Sequence, residues 1–340
     1  MRKLIVAAVT LVFLAGCMGH IRNYMVDKGI ENLNRIESYS GTAVETGLLD
    51  DGTAVRTKLS YVKPDMFTAE ITEPAEYRGD RFVLSGDTMY LYYAKPNIGI
   101  EFRGLNSVIE DSVEKSNTRV KEKTLNNVKY FNSAWKGRQE VAGRKAYRFR
   151  IVPLEEGKYL YHEYFYSDPV YSLPLKVDLL DDTTPVYTFE YTDITFNEEI
   201  DPGEFRFTFP PETNISRWDL GKKGLTLAQV KKAMNFRVAL PSGLPESMKL
   251  AKAVKAPGFI PACCLVYYDG LYNLILTEIK DYGIEAVKPR GIRTGSPGRD
   301  ARLLFSGDNV IITWKRKGVI LTLTGNLPYY EMLSIAENIE

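Results

Sequence analysis

The sequence predicts an α+β chain built around an antiparallel sheet or barrel and followed by a smaller α+β domain. Three observations carry this reading. Between Ala43 and Phe209, short extended runs follow one another with turn signals between them. Helical spacing of apolar residues is confined to a few segments at the start, middle and end. Tyr (22) and Phe (15) are plentiful, which suits strands.

The elements follow in order. The chain opens Met1-Arg2-Lys3, and Leu4 to Leu14 are apolar apart from Thr10. Leu14-Ala15-Gly16-Cys17 comes next. A basic start, a short apolar run and a small-residue site make residues 1–16 an export signal. The run is too short to span a bilayer, which takes about 20 residues. Leu14 to Cys17 resembles the bacterial lipobox. That resemblance implies that Cys17 is diacylated with palmitate-type chains and becomes the first mature residue, with 17–21 as a lipidated tether. Several acyl chains on one residue anchor a protein stably where one does not. The alternative is an ordinary signal with a chance Cys.

A helix is expected over Arg22 to Ser38, from Val26, Ile30, Leu33 and Ile36 at helical spacing and Gly41 beyond the end. Strands follow at Ala43 to Leu49 and Thr53 to Tyr61 around Asp50-Asp51-Gly52. Met66 to Thr72, Arg81 to Leu84 and Met89 to Tyr93 continue them. Asn106 to Asn127 reads as a polar helix. Strands resume at 137–141, 146–152, 158–166, 175–180 and 186–196, with turns such as Ala142-Gly143-Arg144 and Asp181-Asp182-Thr183. Asp201 to Phe209 closes the first domain, 22–210. Pro210-Pro211 and the polar stretch after it suggest a linker over 211–225. In the second domain, 226–340, Thr226 caps a short helix reaching Met234. Extended runs are expected at 236–240, 263–268, 272–280, 301–305, 309–315 and 319–325, with a last helix from Pro328 to Asn338.

Composition narrows the function. Loss of residues 1–16 removes Arg2 and Lys3 and leaves 42 basic against 43 acidic side chains, a formal charge of −1. No basic excess is present to drive nucleic-acid binding. Catalysis is not expected. The chain has two His, His20 in the tether and His162 in a Tyr-rich strand, and it lacks a Gly-x-Ser-x-Gly elbow, a phosphate loop and a His-Glu-x-x-His motif. Catalytic residues, metal ligands and cofactors are therefore expected to be none. Cys263-Cys264 is either a pair of small apolar residues in a buried strand or a redox-sensitive vicinal pair.

At Tyr191 to Ile215 the chain reads YTDITFNEEIDPGEFRFTFPPETNI. With Tyr191, Asn197 and Phe205-Arg206-Phe207-Thr208-Phe209-Pro210, it resembles the closing motif of the outer-membrane lipoprotein carrier superfamily. That superfamily includes LolA/LolB proteins and the N-terminal domain of RseB/MucB regulators. Lys158 to Val177, with Asp168 and Pro174, and Lys63-Pro64-Asp65 fit the same pattern. Phe236 to Leu250 (FRVALPSGLPESMKL) resembles the start of a small C-terminal domain found in RseB/MucB regulators and Gram-positive envelope proteins, with Ser247 where a Gly is usual. The resemblance implies a curved antiparallel half-barrel with helices over its concave side, holding acyl chains or peptides. It also implies a membrane regulatory protein, such as an anti-sigma factor, as an alternative partner.

Several strands are apolar on both alternations. Met89, Leu91 and Tyr93 alternate with Tyr90 and Tyr92, and Leu160, Tyr164 and Tyr166 alternate with Tyr159, Tyr161 and Phe165. A sheet with one wet face would instead alternate apolar and polar. Met89, Leu91, Tyr93, Leu160 and Tyr164 are therefore the candidate ligand-lining residues. The expected protein is a lipid-anchored envelope protein outside the cytoplasm that takes an apolar ligand or an acylated protein. A regulator with a membrane partner and a structural protein with a filled sheet stand beside it.

Overall fold

The computed structural model describes residues 19–105, 131–154, 162–222, 224–256, 261–281, 283, 291–294, 297, 301–306 and 309–339. The export signal, Cys17, the expected helix over 106–127 and Leu160 lie outside them.

Helix α1 (Gly19–Asn34) leads into β1 (Ser38–Thr46), β2 (Val55–Val62) and β3 (Met66–Glu73). Next come β4 (Arg81–Ser85), β5 (Thr88–Tyr93) and β6 (Ile98–Arg103). Then follow β7 (Phe131–Val141), β8 (Arg144–Pro153), β9 (His162–Ser167), β10 (Pro174–Asp181) and β11 (Thr184–Phe196). A 3-10 turn (Pro202–Phe205) precedes β12 (Asn214–Asp219) and α2 (Leu227–Ala233). The last stretch holds β13 (Lys249–Ala256), β14 (Ala262–Tyr268), β15 (Asn273–Lys280) and β16 (Ile292–Arg293). It ends with β17 (Arg302–Ser306), β18 (Asn309–Arg316), β19 (Val319–Gly325) and α3 (Tyr329–Glu337).

Two compact units result, each drawn from two stretches of chain. One takes its described residues from 1–75 and 113–204, the other from 76–112 and 205–340. In the first unit the strand order is β3-β2-β1-β11-β10-β9-β8-β7. Its paired neighbours run antiparallel in an open curved sheet. In the second unit β4, β5 and β6 pair antiparallel, and β12 lies parallel beside β6. The same unit holds a seven-stranded sheet, β13-β14-β15-β19-β18-β17-β16. The fold class is α+β, as the sequence implies.

Helix α1 ends at Asn34, short of the expected Ser38, because the chain is pulled into a strand there. Arg35 N–H donates to Asn32 O and Ile36 N–H to Leu33 O, both at 3.1 Å, tightening the last turn. Asn197, at φ 59°, then clamps the exit. Its Oδ1 accepts Glu37 N–H at 2.8 Å and its Nδ2 donates to Arg35 O at 3.1 Å. Below the helix, Val26, Leu33 and Ile36 pack with Tyr39, Ala43, Tyr191 and Ile194. Each such fully buried apolar side chain stabilises the unit by about 1.5–3 kcal/mol.

Four strands have no counterpart among the expected runs: β6, β12, β13 and the two-residue β16. No element was assigned at β6, although Ile98, Ile100 and Phe102 alternate with Gly99, Glu101 and Arg103. β12 falls inside the expected linker 211–225. Its residues look polar in isolation and acquire a partner only from β6, more than a hundred positions earlier. β13, LAKAVKA after Lys249, forms an edge strand, and the lysines common on edges mask its alternation. The expected run 236–240 forms no strand. Thr226 does cap α2: its Oγ1 accepts Gln229 N–H at 3.2 Å, and Gln229 Oε1 accepts Thr226 N–H at 2.8 Å.

Candidate functional site

The register of β4, β5, β6 and β12 assigns each residue to a face. Met89 opposes Leu84 and Phe102, Leu91 opposes Phe82 and Ile100, and Tyr93 opposes Ile98. On β12, Ser216 opposes Ile100 and Trp218 opposes Phe102. Directly opposed residues share a face. Met89, Leu91 and Tyr93 therefore belong to one apolar face with Phe82, Ile100 and Phe102, all part-exposed, while Leu84, Ile98 and Trp218 are buried. Phe102 stacks on Trp218 with ring centres 5.4 Å apart.

Two polar atoms in this face are unsatisfied. Trp218 is 2% exposed, and its indole Nε1–H is buried with no hydrogen-bond partner. Ser216 Oγ, two residues earlier on the same face, is buried and unpartnered as well. Buried polar atoms in folded proteins are almost always paired, and an unmade bond costs about 1–3 kcal/mol.

The opposite face of β5 is closed by the chain itself. Phe207 and Phe209 lie over Tyr90 and Tyr92 with ring centres 5.8–6.3 Å apart. Gly99 makes room: a Cβ there would sit 2.4 Å from Phe209 Cε1. Further along, buried Glu101 receives Arg103 Nε on one oxygen and Arg217 Nε at 3.0 Å on the other. The motif Phe205-x-Phe-x-Phe is thus a strap across the back of the strands that carry the apolar face.

In the first unit Tyr164 is partly buried and packs against the apolar cluster that includes Tyr166. Phe149, Phe165, Val177 and Phe189 oppose one another across β8 to β11 and form one face. Tyr164 points the other way, opposing Arg150 and Asp178. The Arg148 guanidinium stands 4.0 Å over its ring. The sequence pattern recorded an aromatic residue there but not the cation stacked on it.

Two carboxyls sit in the apolar face. Glu163 opposes Ile151 and Leu179, and loss of hydration raises its carboxyl to about 7. Glu45 opposes Phe189 and accepts Tyr187 O–H at 2.7 Å. Desolvation raises the Glu45 carboxyl, partly countered by that hydrogen bond. Nothing in the alternation of apolar residues marks either one.

In the seven-stranded sheet Cys263 and Cys264 are free thiols and buried. As strand neighbours they point to opposite faces, Cys263 toward Glu278 and Cys264 toward Thr277. Burial raises both thiols, Cys264 to about 12, so neither is poised as a thiolate. Of the two alternatives, the buried apolar pair is the one the geometry supports. Glu278 itself is 0% exposed and accepts Ala239 N–H at 2.9 Å. Burial raises its carboxyl to about 7.

Residues 100–208 match the family model of the MucB/RseB N-terminal domain. The chain carries a MucB/RseB-like domain. The chain is 23% identical over 337 residues to an uncharacterized protein of Methanocaldococcus jannaschii, covering 96% of this chain and 95% of that one. Among solved structures it is similar to the MucA/MucB complex of Pseudomonas aeruginosa, at 14% identity, 92% and 97% coverage of the two chains and a TM-score of 0.44. A putative outer membrane lipoprotein-sorting protein domain from Vibrio parahaemolyticus is 10% identical, with 54% and 95% coverage and a TM-score of 0.27.

Proposed function

We propose that the protein is an extracytoplasmic lipoprotein, held to a membrane by acyl chains on Cys17, that binds an apolar ligand as acceptor or sensor. The observation that carries this reading is the part-exposed apolar face of β4, β5 and β6. Met89, Leu91, Ile100 and Phe102 lie side by side on it, and Ser216 Oγ and Trp218 Nε1 supply unsatisfied polar atoms in the same face. A lipid or an acylated chain has both parts that such a face would match, a hydrocarbon tail and an accepting carbonyl oxygen. The MucB/RseB-like domain and the export signal agree with this placement.

Native mass spectrometry of the chain starting at Met18, purified without detergent and then extracted with organic solvent, tests the reading. A co-purifying acyl species is expected. Leu91→Arg separates site from core. With Leu91 in the ligand face, the variant melts as the wild type does and loses the bound species. With Leu91 in the core, the buried charge unfolds the unit. An unchanged melt with an unchanged ligand load would remove Leu91 from the reading.

A second reading rests on the family match. A MucB/RseB-like domain suits binding of a membrane-anchored regulatory protein. Capture of a single-pass membrane protein by a ligand-free chain is the result that favours it.

A further inference from the structure

Strands β8 and β9 carry a cationic cluster that the apolar-ligand reading does not use. Arg148 and Arg150 are two residues apart on β8, roughly 6.6 Å along the strand, and project from the same face. The Arg148 guanidinium lies 4.0 Å over Tyr164 and 5.6 Å from the centre of Tyr166. Arg150 Nη2 approaches His162 Nδ1 at 3.4 Å. A guanidinium can only donate, so Nδ1 accepts and His162 keeps its ring proton on Nε2. Three donor-bearing side chains therefore share one small area over an aromatic floor.

What distinguishes these two arginines is that no carboxylate among the described residues pairs with them. Arg144 pairs with Asp168 at 2.8 Å, and Arg103 and Arg217 share Glu101. Among the described residues neither Arg148 nor Arg150 makes such a pair, and the Nε of each is buried with no hydrogen-bond partner. The described acids that share that face by register, Asp178 and Glu190, are engaged elsewhere. Asp178 accepts Tyr166 O–H at 3.1 Å and Thr188 O–H at 2.9 Å, and Glu190 holds Lys176 at 2.8 Å. Across the sheet edge Arg150 faces Ala134. Partly desolvated guanidiniums without a counter-ion are unfavourable, and an oxyanion relieves them. Two forks around one tetrahedral group, with a ring N–H beside them, suit phosphate geometry.

We propose that Arg148, Arg150 and His162 form a binding site for a phosphate group, either free or as the head of an amphiphile. The site lies outside the apolar face of β4 to β6, and its test needs no apolar ligand.

The full-length protein in non-ionic detergent is titrated calorimetrically with inorganic phosphate and, separately, with soluble dihexanoyl phosphatidic acid. Saturable binding of phosphate is expected. Arg150→Gln should weaken it by roughly tenfold or more, the usual consequence of losing a charged hydrogen bond. Arg138→Gln, which removes the arginine over Tyr147, should leave it unchanged. Tighter binding of the phosphatidic acid, lost in the same variant, identifies a lipid head as the source. Equal binding of the two identifies free phosphate. Should Arg150→Gln fail to melt cooperatively, Arg150→Lys, which keeps the charge and removes the fork, takes its place with the same expected direction. No saturable binding in either titration, or equal binding by wild type and variant, overturns the proposal.

Discussion

Glu278 and Glu163 each hold a carboxyl in apolar surroundings, and both are raised to about 7. An unfolded Glu titrates near 4.5. Between these values the folded chain retains protons that the unfolded chain has lost, so stability falls as pH rises through that window. Melting temperature is therefore expected to drop from pH 5 to pH 7.5. Glu278→Gln keeps an oxygen for Ala239 N–H but cannot titrate, so it should shrink the drop; an undiminished drop would clear Glu278 of responsibility. Trp218 offers a second measurement. Trp218→Phe removes the unsatisfied N–H and should cost less than about 1.5 kcal/mol in denaturant unfolding. Trp218→Ala empties a stacked, buried position and should cost about 3–5 kcal/mol. Similar losses from both would contradict this account of the indole. At this scale the sequence was legible where a residue's chemistry is local. Asp168 shows it: the carboxylate accepts Val170 and Tyr171 N–H at 2.8 and 2.9 Å and shapes the turn before Pro174. Glu163, Glu45 and Glu278 were not legible, because their environment is made by other strands.

Among the elements, hairpin strands were easiest to read. β4 and β5 join through the two-residue turn Gly86-Asp87 and β1 and β2 through residues 47–54, and in each pair the partners are neighbours in the chain. β12 was hidden because pairing alone makes it a strand, and its apolar content is two residues, Ile215 and Trp218. The turn after β1 yields a test. Gly47 has φ 84°, and a Cβ there would sit 2.1 Å from Val186 O, whereas Gly52, at φ 74°, faces open space. Both substitutions to Ala strain the backbone by about 1 kcal/mol, but only Gly47→Ala adds a backbone clash. Gly47→Ala should therefore be the more destabilising by about 1–2 kcal/mol in chemical denaturation. Equal costs would mean that β11 yields at Val186.

For the whole molecule, the proposed export signal and lipobox-like site rest on consecutive residues, 1–17, outside the described ones. Cys17→Ser should release the protein from the membrane fraction or leave it unprocessed, as read by fractionation and by mobility. Fractionation identical to wild type would end the lipid-anchor reading. The division into units was less legible, since each unit draws on two separate stretches of sequence.

That interleaving also orders events in time. β6 ends at Arg103, and its parallel neighbour β12 begins at Asn214. While the chain emerges vectorially, β4 to β6 must wait with one edge unpaired for more than a hundred further residues. Long closures are slow, and an open edge invites pairing with another chain. During that interval the growing chain is exposed to aggregation, and the arrival of Asp219 ends it.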